Sequence, residues 1–153
     1  MFLAGLFSGF ILIGLFAIIA LPKLLFSVNE SKYDFDQTVE ILTESTKSNN
    51  WKMPHEYDLQ QIMANNGFEV KPVRVFSICK PDIAVRILNN DSDRHVSALM
   101  PCRVSIYKKA DGKTYISRMN FGLFAKLLGG KASVVMEDAG AGSEIILKAI
   151  MKN

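Results

Sequence analysis

Residues 99–120 read LMPCRVSIYKKADGKTYISRMN. In the first half, Met100, Cys102, Val104 and Ile106 alternate with Arg103, Ser105 and Tyr107. A period of two is the signature of a strand with one buried face. Ala110-Asp111-Gly112 supplies the turn, and residues 113–120 return as the second strand of a hairpin.

The flanks read as alternating helices and strands. Residues 31–42, SKYDFDQTVEIL, place Asp34 as a plausible N-cap for a helix reaching about residue 48, with Phe35, Val39 and Leu42 along one side. Residues 51–57 read as extended around Pro54, and Asp58 with Gln61 resembles a capping box opening a short helix stopped at Gly67. A strand is expected over 70–79. Residues 78–88, ICKPDIAVRIL, place Pro81 at the first position of the next helix. Residues 89–94 read as a polar loop. Helix is expected over 121–128 and over 132–151, the latter on both sides of a flexible Gly140-Ala141-Gly142 joint. A further short strand fits residues 25–31.

These blocks, SKYDFDQTVEIL, ICKPDIAVRIL and ALMPCRVSIYKKADGKTYISRMN, resemble in sequence and order the bacterial and archaeal family called domain of unknown function 302. The resemblance covers most of the chain after about Val28. It implies an α+β fold: a small two-layer domain, an antiparallel sheet with helices on one face, of the TATA-box-binding-protein-like type. It implies no established catalytic activity, and it carries no catalytic residues over to this chain.

The N-terminal region reads differently. Hydrophobic residues make up 49% of the 153, and residues 2–22, FLAGLFSGFILIGLFAIIALP, contain no charge. As a helix rising about 1.5 Å per residue, that stretch would measure roughly 30 Å, the thickness of a bilayer core. The expectation is an uncleaved transmembrane anchor over residues 1–26 and one α/β domain over 27–153, a departure from the family's simplest, free-standing members. A signal peptide fits less well, because no basic residue precedes the apolar run. A buried helix of the domain is the other alternative. Gly5 and Gly9 form GxxxG, the small-residue spacing that lets helices approach in lipid, so a partner helix, from another membrane protein or a second copy, is expected there. Lys23 and Lys32 lean towards a cytoplasmic domain by the positive-inside rule. The short unbasic head before a long anchor favours the extracytoplasmic side, and that side is the expectation.

The formal charge of +3 comes without any basic block, which argues against nucleic-acid binding. There is no CxxC, haem-attachment or zinc spacing, nucleophile elbow or phosphate loop. Candidate chemistry rests on Cys79 and Cys102, each at a strand end, where Lys80 and Arg103 would favour a thiolate. Both also fit as small core residues. His55, beside Glu56 and near Asp58, is a candidate ligand or proton carrier, and His95 a weaker one. Met100 and Met119 are candidate thioether ligands to haem or copper, though methionine commonly fills cores. Two functions stay open. One is a membrane-anchored, non-catalytic accessory or ligand-binding subunit of a membrane complex. The alternative is a thiol or haem/metal redox protein using Cys79 and Cys102; no cofactor is specified.

Overall fold

The computed structural model describes residues 14, 18–20 and 23–152. Five strands form one antiparallel sheet: β1 (Phe26–Glu30), β2 (Lys52–Asp58), β3 (Val73–Cys79), β4 (Cys102–Lys108) and β5 (Thr114–Met119), in the order β1-β5-β4-β3-β2. Helix α1 (Phe35–Ser48) carries the chain from one edge of the sheet to the other. Short α2 (Leu59–Ala64) joins β2 to β3. Between β3 and β4 lie α3 (Pro81–Leu88) and a 3₁₀ turn over Arg94–Leu99, where a loop and the start of a strand were expected. Helices α4 (Phe121–Leu128) and α5 (Gly130–Leu147) close the chain.

Local chemistry sets these boundaries. Asp34 Oδ1 accepts the Gln37 amide at 3.0 Å, satisfying one of the donors that a helix start leaves free. Asp58 Oδ1 caps α2 in the same way, from Gln61 N at 2.9 Å. The Gln61 side chain turns forward to Asn65 at 2.9 Å, so the box is only half formed. Pro81 opens α3, where its missing N–H costs nothing. The hairpin pairs Ile106 with Ile116 and Tyr107 with Tyr115, and Gly112 takes φ 77° in its turn.

The alternation read from the hairpin decides which face is covered. Phe76, Ile78, Val104, Ile106 and Ile116 are buried beneath Phe35 and Leu42 of α1 and Ile146 and Leu147 of α5. A second apolar cluster joins α3, α4 and α5 through Ile87, Phe121, Ala125 and Val135. Ile83 and Cys102 touch both clusters. The helices therefore sit on one face, as expected for this fold class.

Two expectations are corrected. The Gly140-Ala141-Gly142 joint is no break, since α5 runs through it. A Cβ on Gly142 would lie 2.5 Å from Trp51 Cζ2, and one on Gly140 would lie 2.6 Å from Phe121 Cβ. Glycine here allows close approach, which the sequence pattern cannot distinguish from flexibility.

The transmembrane helix is the second. Among the described residues, no helix is long and apolar enough to cross a membrane. In the stretch assigned to the anchor, the described helical residues are Gly14, Ile18 to Ala20 and Lys23 to Leu25, and Phe26 already belongs to the sheet. A span requires about twenty consecutive helical residues. An uncharged run measures transfer energy and does not by itself establish a continuous helix. The single-pass cell-membrane placement, with its assignment of sides, is therefore not supported. Gly5 and Gly9 lie outside the described residues.

Candidate functional site

On the face away from the helices, strand register lines up Tyr57, Val75, Ser105, Ser117 and Val28 as one row across all five strands. His55, Ser77 and Arg103 align as the neighbouring row. These are the off-beat residues of the same alternation that builds the core. Over part of this face runs a groove of about 380 Å³. Its floor includes Val75, Ser105 and Ser117, and its walls include Phe26, Phe124 and Leu99. That volume falls within the range of small-molecule sites, which are mostly apolar with a few convergent polar groups. Two arginines line it: Arg118, which is paired with Glu144, and Arg103. The Arg103 guanidinium stands 5.3 Å from the centre of the Tyr57 ring and forms no ion pair among the described residues. The groove lining contains no carboxylate, imidazole or thiol.

Beneath the end of the sheet, where the two apolar clusters meet, is a cavity of about 30 Å³. Both cysteines line it, Cys79 from the end of β3 and Cys102 from the start of β4. The register pairs Ile78 with Cys102, so Cys79 sits one residue beyond the pair. The two thiols are unbonded to each other. Met100, Met136 and Trp51 line the same space, with Lys80 at its edge.

The expectation of an activated thiolate meets opposing physics. Burial pushes the Cys102 thiol up to about 11, and the neighbouring Cys79 adds to the rise. Burial raises Cys79 too. An apolar surrounding disfavours the anion, and burial outweighs the Lys80 ammonium in the same lining. Strand alternation explains why Arg103 does not help: it stands over Tyr57 on the opposite face.

The other candidates scatter. His55 is exposed on edge strand β2, its ring 6.0 Å from Tyr57 and outside the lining of the cysteine cavity. His95 is exposed in the 3₁₀ turn. Met119 lines the groove, and Met100 lines both groove and cavity. Among the described residues, no three His, Cys, Asp or Glu side chains are grouped to hold a metal ion. Met136 escaped the sequence reading because a methionine in a helix of small residues looks like core filler. The groove escaped it because its walls come from β1, the 3₁₀ turn and α4, which are distant in sequence. The polar beat Arg103-Ser105-Tyr107 was its one visible trace.

The class defined by this architecture is a small α+β domain, a five-stranded antiparallel sheet with helices on one face and the other face open. Residues 27–150 match the family described as "Domain of unknown function DUF302", and the chain belongs to that family. A similar solved structure is the crystal structure of an uncharacterized conserved protein DUF302 from Bacillus stearothermophilus. It matches with a TM-score of 0.68 at 19% identity, covering 82% of this chain and 95% of that one, and supports the fold alone. No curated protein matches the chain.

Proposed function

We propose that the protein is a non-catalytic ligand-binding module whose working surface is the groove on the open sheet face. The observation that carries this reading is the roughly 380 Å³ apolar groove with the unpaired Arg103 guanidinium among its lining. Apolar walls favour a hydrocarbon or aromatic body, and the guanidinium favours a carboxylate or sulfonate at one end. The Ser105 and Ser117 hydroxyls, directly opposite across β4 and β5, add donors on the floor. The ligand is therefore a small amphiphilic anion. No group in the lining holds or moves a proton near neutral pH, which favours binding over catalysis.

Titration of the full-length protein with the fluorescent sulfonate 1-anilinonaphthalene-8-sulfonate, and by calorimetry with octanoate, tests this. Binding to one site is expected, weakened about tenfold or more by Arg103→Ala, as loss of a charged hydrogen bond implies. Ser117→Trp should block the groove and abolish binding. Affinity unchanged in both variants would overturn the reading.

A further inference from the structure

The small cavity has a composition that the groove reading does not use. The chain has seven methionines and two cysteines, and both cysteines and two methionines line this one space. They arrive from β3, from the turn before β4, from β4 itself and from α5, separated widely in sequence. We propose that the cavity is a binding site for a single soft monovalent d¹⁰ cation, Cu(I) or Ag(I), held by Cys79 and Cys102 as thiolates with Met100 and Met136 as thioether donors.

The lining selects for such an ion in three ways. It offers sulfur and, among its side chains, no carboxylate, hydroxyl or imidazole, so hard cations find no partner. Two thiolates without a histidine fall short of the four strong ligands of a structural zinc site. A volume of about 30 Å³ admits one ion and excludes a haem or any organic cofactor. The Trp51 side chain lines the same wall.

The charge balance also closes. Binding replaces two S–H bonds with two metal–sulfur bonds and releases two protons to solvent, with no change of oxidation state. Two thiolates and one monovalent cation leave one negative charge, which the Lys80 ammonium at the cavity edge offsets. Without the ion, burial favours the protonated form of both thiols. The ion must then displace those protons, so affinity falls up to a hundredfold for each unit the pH drops. This site shares the Leu99–Pro101 wall with the groove but takes a different ligand, and failure of either proposal leaves the other standing.

The test uses full-length protein, reduced and anaerobic, titrated with Cu(I) against a colorimetric chelator and with Ag(I) by calorimetry. One ion per chain and two protons released per ion are expected. Cys79→Ser and Cys102→Ser should each weaken binding at least a hundredfold. Met136→Leu, which preserves packing volume, should weaken it several-fold. X-ray absorption of the loaded wild type gives a readout independent of whether the variants fold: a sulfur-only shell supports the proposal. An oxygen- or nitrogen-rich shell, absence of stoichiometric binding, or undiminished binding in folded Cys102→Ser would overturn it.

Discussion

Replacing Glu144 by alanine should cost more stability than replacing its partner Arg118 by methionine. Arg118 lies on β5 facing the helices, with its side chain 7% exposed, while that of Glu144 on α5 is 39% exposed. Their contact is bidentate, Nε to Oε1 at 2.5 Å and Nη2 to Oε2 at 2.8 Å, and Arg118 Nη1 also donates to Asn29 Oδ1 at 2.8 Å. The pair thus pins α5 to β5 and, through Asn29, to β1. Removing Glu144 strands a guanidinium in a site with one amide oxygen and the Ser27 carbonyl for company. An uncompensated buried charge costs about 3–5 kcal/mol, and the partial compensation from Asn29 sets the expected loss near 3 kcal/mol. Removing Arg118 frees a carboxylate that turns to water, and methionine fills the vacated space, so about 1 kcal/mol is expected. Equilibrium urea unfolding of both variants measures the difference, with the m-value unchanged. Thermal midpoints should fall by about 6–12 °C for Glu144→Ala and about 2–4 °C for Arg118→Met. An Arg118→Met variant as unstable as Glu144→Ala would refute the reasoning, because burial would then not decide which half matters.

Gly142→Ala should destabilise by about 1–3 kcal/mol, since the new methyl meets the Trp51 ring at 2.5 Å and α5 must move to admit it; a neutral effect in chemical denaturation would contradict that packing. Thr114→Val should be neutral or stabilising by up to about 1 kcal/mol, because the buried Thr114 hydroxyl has no hydrogen-bond partner among the described residues. Cys102, raised to about 11, should react with an aromatic disulfide reagent at pH 8 about a hundredfold more slowly than a free thiol, with Cys79 reacting first. The same shift has a stability consequence. Its contribution is full below the ordinary thiol value of 9 and is lost as pH rises through about 11, so alkaline unfolding should ease over that window in wild type and less so in Cys102→Ala.

The parts of the fold legible in the sequence are those fixed by short-range chemistry. The hairpin showed itself because period-two alternation and Asp111-Gly112 agree over residues 99–120. Asp34, Asp58 and Pro81 marked helix starts because capping acts within one turn. The Leu99–Pro101 stretch misled because its apolar residues continue the strand pattern although the chain there wraps beneath the sheet end. Gly140 and Gly142 misled because their partners, Phe121 and Trp51, are distant in sequence. The cysteines were singled out from their strand-end positions. Their protonation was not legible, since Lys80 and Arg103 are neighbours in sequence while the burial comes from α3 and α5. The apolar run before Phe26 was read as a membrane span from hydropathy alone, and among the described residues no helix is long and apolar enough to cross a membrane.

Leu99, Met100 and Pro101 line both the groove and the sulfur cavity, forming a single partition with a chamber on each side. A partition has one position at a time. If both proposed sites are filled, the groove's occupant and an ion drawing on Met100 bear on the same wall. Thermodynamics then requires reciprocity: if an anion in the groove alters affinity for an ion in the cavity by some factor, the ion alters affinity for the anion by that same factor. Titrations of the two chambers, singly and together, would form a closed cycle that measures any coupling across that stretch of backbone.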